Sequence, residues 1–181
     1  MQRTISHLIL TIVLSVVLFS CNQGETLQGY FVNNQETPNF LSVDIPTSFV
    51  NIDQTTLTDE QKEAYESVDK LNMLAYSLDS GNFEDYKTEL VKVQSILKND
   101  KYEELMTGSS GSIGKFTVKY IGTDTAIDEL IVFGSSEDKG FAVVRVLGDN
   151  MEPAKLMTLG NVLQNADPEM TDVSSILEFF N

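Results

Sequence analysis

The second half of the chain alternates apolar and polar residues with a period of two. Three stretches within residues 115–147 show this alternation, "KFTVKYI", "IDELIVF" and "FAVVRVL", and the polar connections "GTDTA" and "GSSEDKG" separate them. Such a period places successive side chains on opposite faces of a strand, and short polar connections join antiparallel neighbours. The pattern therefore predicts a three-stranded antiparallel meander.

Apolar residues that recur every three or four positions predict the helices. The clearest helix spans residues 83–98 behind Asn82 as its cap, with its apolar positions at Phe83, Tyr86, Leu90, Val93 and Leu97. Thr58 and Gln61 have capping-box spacing, which predicts a helix whose apolar positions are Ala64, Tyr65, Val68 and Leu71. Pro153 suits the first turn of a leucine-bearing helix, and residues 172–180 predict a last short one.

Shorter runs complete the expected fold. Strands are predicted for "LSVDI", for Leu71 to Tyr76 and for "YEELM", and the run "TGSSGSIG" that follows is predicted to be a flexible loop. "GSSGSIGK" is not a phosphate loop, because Phe116 stands where Ser or Thr is needed and a strand follows. We expect an α+β fold, an antiparallel meander sheet packed on one face by two or three helices.

The first twenty-one residues have the layout of an export signal. A positive start containing Arg3 precedes an apolar run from Leu8 to Phe19, which is too short to span a bilayer as a helix. Leu18, Phe19, Ser20 and Cys21 then resemble the bacterial lipobox, which implies attachment of a phospholipid-derived glyceride to the thiol of Cys21, cleavage before this residue and acylation of the freed amine. The alternatives are an uncleaved anchor helix and a plain secretory signal.

The segment after the cysteine sets the expected domain boundaries. Residues 22–39, "NQGETLQGYFVNNQETPN", show no apolar period and read as a flexible tether with a reach of about 20 to 25 Å. We therefore expect a signal peptide at 1–20, a lipidated cysteine and tether at 21–39, and one α+β domain at 40–181.

Composition narrows the possible chemistry. The processed chain keeps 27 acidic residues against 11 basic ones, a formal charge of −16, so neither a nucleic acid nor an anionic-lipid surface is expected as a partner. It has no histidine, and its one cysteine is the acylated one, so Cys/His zinc sites and histidine-dependent triads lack a required group. We expect no cofactor, no metal and no enzymatic activity. The alternative is a carboxylate-dependent hydrolase of envelope glycans, since paired acids can act without histidine.

The region from "ELMTGSSGSIGKFTVKYIG" to "FAVVRVLGD", with the leucine-bearing helix after it and "VDIPTSF" upstream, resembles a Bacteroidota family of small lipoproteins known only as a domain of unknown function. The resemblance covers roughly residues 40–165. It implies a lipid-anchored envelope protein with an α+β domain, held at the outer membrane. It implies no activity, and the side of the membrane that the domain faces stays open.

Each meander strand carries one charge near its middle, namely Lys119, Glu129 and Arg145. Pairing 119 with 129 and 129 with 145 sets Glu129 between two cations on one face. The same face would carry Ile121, Ile127, Ile131, Phe133, Phe141, Val143 and Leu147.

So much apolar surface needs a cover, either residues 172–180 or a partner such as an envelope protein or a second copy. The plainer alternative is a solvated salt-bridge row. We predict an interaction face formed by Lys119, Glu129, Ile131, Phe133, Phe141, Val143 and Arg145.

Overall fold

The computed structural model describes residues 24–47, 54–78, 82–110 and 114–164. The elements of these ranges, in chain order, are α1 (Leu27–Asn34), β1 (Phe40–Pro46), a 3₁₀ turn (Gln54–Thr56), α2 (Asp59–Ser67), β2 (Val68–Ser77), α3 (Phe83–Leu97), β3 (Glu103–Ser110), β4 (Gly114–Thr123), β5 (Ala126–Ser136), β6 (Gly140–Met151) and α4 (Pro153–Gln164). The predicted signal peptide, Cys21 and residues 172–180 lie outside the described ranges.

The strands form one six-stranded sheet in the order β1-β2-β6-β5-β4-β3, and all neighbours are antiparallel. The predicted meander corresponds to β4, β5 and β6, and β3 extends it by one strand. Helix α3 connects β2 to β3, so the chain crosses from the strand next to one edge of the sheet to the opposite edge. The predicted α+β class with an antiparallel sheet is confirmed.

The strand register differs by two residues from the predicted one. Lys119 pairs with Ile131, and Ile131 pairs with Arg145, whereas Glu129 pairs with Ile121 and Leu147. The predicted five- and seven-residue connections are shorter in the structure, because the strands continue to Thr123–Ala126 and Ser136–Gly140. A shift of two residues preserves the faces, since alternate side chains share a face.

Helices cover both faces of the sheet rather than one. Under α1 and α3 lies what we call the aromatic core, which consists of Leu27, Tyr30, Phe31, Leu74, Tyr76, Tyr86, Val93, Ile96, Leu97, Tyr102, Ile131, Phe133, Phe141 and Val143. The opposite face packs against α2 and α4 through Ala64, Val68, Tyr120, Ile127, Met151, Leu156 and Leu159. Ile127 belongs to this second face, because a bulge between it and Glu129 reverses the alternation there.

Helix α1 lies inside the segment that the sequence predicted to be a tether. Thr26 caps it by accepting a hydrogen bond from the amide of Gly29 at 3.1 Å. Leu27, Tyr30 and Phe31 are 1%, 1% and 6% exposed, so the helix belongs to the aromatic core. The packed domain therefore begins before residue 39, and the predicted boundary is corrected to the residues just before Leu27.

Other predicted elements agree with the structure apart from their ends. The Thr58–Gln61 capping box is present and begins α2, but the helix ends at Ser67, so Val68 and Leu71 belong to β2. The predicted helix 83–98 is α3, capped by Asn82. Strand β3 continues to Ser110, so the first half of the predicted loop "TGSSGSIG" is strand.

Candidate functional site

The residues predicted to form an interaction face do lie together on one face of the sheet. Ile131, Phe141 and Val143 are fully buried there, and α1 and α3 pack over them in the aromatic core. Glu129 and Arg145 are also buried, at 9% and 5% exposure, and Phe133 is 7% exposed. The cover comes from two helices of the chain itself, so these residues form core rather than an open surface, and the predicted interaction face is corrected accordingly.

A buried ion pair lies at the centre of this face. The Nε of Arg145 donates to Oε1 of Glu129 at 2.6 Å, and its Nη2 donates to Oε2 at 3.1 Å. The remaining nitrogen, Nη1, donates to the side-chain oxygen of Gln28 on α1. The guanidinium carbon also lies 5.2 Å from the ring centre of Phe31, within the range of a cation–π contact.

Polar side chains extend from this pair across the sheet. Asn72, the β2 neighbour of Arg145, is buried and donates to Asp44 on the edge strand β1. On the other side, the ammonium of Lys119 donates to the backbone oxygen of Tyr102 at 2.8 Å. Each nitrogen of the Arg145 guanidinium has an acceptor within the chain, so this row holds α1 and the sheet together and is not a ready anion site.

The acidic side chains considered as a catalytic pair for hydrolysis do not face one common cleft. Asp128 is exposed at the bulge between Ile127 and Glu129, whereas Glu129 is buried with both carboxylate oxygens accepting from Arg145. A pair of acids acting on a glycoside must flank one bond in one cleft. Among the described residues, no group of three or more His, Cys, Asp or Glu is placed to hold a metal ion.

Tyrosine hydroxyl groups on α1 and α3 donate hydrogen bonds that hold these helices over the aromatic core. Tyr30 donates to Oε2 of Glu89 at 2.8 Å, which joins α1 to α3, and burial together with that carboxylate raises the pKa of Tyr30. Tyr86 donates to the backbone oxygen of Ser136 at 3.1 Å, and burial raises its pKa as well. These phenols stay protonated near neutral pH and act as hydrogen-bond donors.

Two open grooves flank the covered face. One, of about 760 Å³, lies where the described chain begins, between the start of α1 and the end of α3, and Gly24, Glu25, Lys92, Ser95 and Lys101 are among its lining residues. The other, of about 420 Å³, lies between α3 and the strands β3 to β5.

The second groove borders an open strand edge. Within the described ranges β3 pairs only with β4, and its side chains Leu105 and Met106 are 38% and 41% exposed. A register shift between Glu104 and Met106 marks a bulge at the start of the strand. From Met106 onward the pairing with β4 is regular, and within the described ranges no strand pairs with the other side of β3.

The described helices are all too short or too polar to cross a membrane. A search among curated proteins finds no match to the chain. A family model described as "Domain of unknown function (DUF4252)" matches residues 30–159. This match begins within α1 and ends within α4, so it spans every strand of the sheet. The chain belongs to the family of this domain of unknown function.

Proposed function

We propose that the chain is a lipid-anchored protein of the cell envelope that acts as a non-enzymatic interaction module. The anchoring half of the proposal depends on the residues Leu18 to Cys21, whose order resembles a lipobox directly after a short apolar run. The thiol is the strongest side-chain nucleophile near neutral pH, which suits its attack on a phospholipid-derived glyceride. The anchor would hold the domain at the outer membrane.

The open edge of β3 carries the interaction half of the proposal. A regular edge strand presents a row of unpaired N–H and C=O groups, and an extended segment of a partner can pair with them. Proteins usually prevent unwanted strand pairing at such edges with proline, lysine or bulges. The bulge here lies at Leu105, and residues 106–110, "MTGSS", contain neither proline nor lysine. An envelope protein or a second copy of the chain would supply the added strand.

Mass spectrometry of the native protein tests the anchor. We expect a chain that begins at Cys21 and carries a phospholipid-derived glyceride on its thiol and an acyl group on its amine. An unmodified Cys21, or a chain that retains residues 1–20, would refute lipidation.

Cross-linking in intact envelopes tests the edge. The double replacement of Leu105 and Met106 by lysine places two cations on β3 and should abolish cross-linking to the partner. The control is Leu41→Lys, because Leu41 is 46% exposed on the opposite edge strand, β1. Equal cross-linking by both variants, with both folded, would show that the β3 edge is not the interaction surface.

A further inference from the structure

The described chain begins very close to the proposed lipid attachment site. Gly24 is three residues after Cys21 and lines the 760 Å³ groove between α1 and α3. Three residues of fully extended chain reach about 11 Å. The predicted tether of 18 residues is therefore replaced by a connection of three residues from Cys21 to the start of the described domain.

The chain is fixed to the domain directly after this connection. The amide of Leu27 donates to the hydroxyl of Tyr102 at 3.3 Å, and the Leu27 side chain is buried at 1% exposure. Oε1 of Glu25 accepts from the side-chain amide of Asn33 at 3.2 Å. Helix α1 cannot act as a spacer while it packs in the aromatic core.

The groove surface near the start of α1 carries charges of both signs and one exposed aliphatic side chain. Lys92 and Lys101 line the groove together with Glu25, and the ammonium of Lys92 lies 2.6 Å from Oε1 of Glu89. Lys98 is also exposed at the end of α3, and Val91 on the groove wall is 63% exposed. Long basic side chains and an exposed aliphatic side chain suit the boundary of a lipid headgroup layer.

From the short connection and this surface, we infer that the groove end of the domain, formed by the start of α1 and the end of α3, lies against the lipid headgroups. The inference rests on the proposed acylation of Cys21. The domain is then held in one orientation, with the start of α3 and the far end of the sheet pointing away from the membrane. The partner of the groove is the lipid headgroup layer itself.

The absence of tryptophan from the chain makes a direct test possible. Ser95→Trp places a single fluorophore at an exposed position in the groove, and Phe83→Trp places one at an exposed position at the other end of the same helix. The two positions are about 18 Å apart along α3. The full mature lipidated chain is reconstituted into phosphatidylethanolamine and phosphatidylglycerol vesicles that contain brominated lipids. We expect quenching of the tryptophan at 95 and none at 83.

A flexible insert of about 12 Gly and Ser residues after Gln23, with a reach of roughly 20 Å, is the matched control. It should abolish quenching at 95 while the protein still floats with the vesicles. Equal quenching at both positions, or no quenching in protein that floats, would overturn the inference and leave the lipid anchor intact. Protein that does not float at all would overturn the anchor, and the inference with it.

Discussion

Replacing Phe31 by alanine tests directly whether α1 belongs to the folded domain. Phe31 is 6% exposed and lies on the guanidinium of Arg145, whereas the next residue, Val32, is 54% exposed on the same helix. Deleting a buried phenylalanine side chain destabilises a protein by about 3–5 kcal/mol through lost burial and the cavity left behind. An exposed position changes stability by about 0.5 kcal/mol or less.

Urea unfolding followed by circular dichroism measures the difference, since the chain has no tryptophan to report it. With a denaturant slope of about 2 kcal/mol per molar, Phe31→Ala should lower the unfolding midpoint by about 2 M, and Val32→Ala should leave it nearly unchanged. A flexible tether predicts no effect from either replacement. Equal midpoints for the two variants would refute the packing of α1.

A shortened chain gives the same test in a stronger form. A chain that begins at Asn39 lacks α1 and uncovers the aromatic core, so it should lose cooperative unfolding. A chain that begins at Gly24 keeps α1 and should unfold like the full-length protein. Cooperative unfolding of both with similar midpoints would restore the boundary predicted from the sequence.

Three further predictions concern single groups. Glu129→Gln breaks the buried pair with Arg145 and should destabilise the fold by about 3–5 kcal/mol in urea, whereas replacing both residues by leucine and methionine should restore most of it. The raised pKa of Tyr30 means that the unfolded chain loses this proton first, so stability should fall as the pH rises above about 10. Tyr30→Phe should flatten that alkaline slope in pH-dependent unfolding. Gly140→Ala should destabilise the fold because φ is +121° and the added Cβ would lie 1.9 Å from a backbone oxygen, whereas Gly24→Ala, with open space around it, should be neutral.

The spacing of apolar residues identified most of the helices and strands, because a long element repeats this spacing several times. The helix over 83–98 has five apolar positions at helical spacing, and the meander strands alternate over seven residues each. Helix α1 repeats the signal only once, through Leu27, Tyr30 and Phe31, with Thr26 as its cap. The eight residues of α1 are too few to establish a helical period among the surrounding Asn, Gln and Gly residues. The cap and the spacing of three and four between its apolar residues were nevertheless visible in the sequence.

The covered face was harder to predict, because its partner lies far away along the chain. Mid-strand charges usually indicate a solvated surface, since burying a charge without partners is costly. Here Arg145 is buried with a bidentate carboxylate from the neighbouring strand and with Gln28, which is 117 residues away in sequence. The sequences of β5 and β6 give no indication that a residue of α1 will complete this arrangement. The sequence therefore indicates correctly that the apolar face around the charges needs a cover, but only the packing of α1 and α3 shows that the chain supplies it.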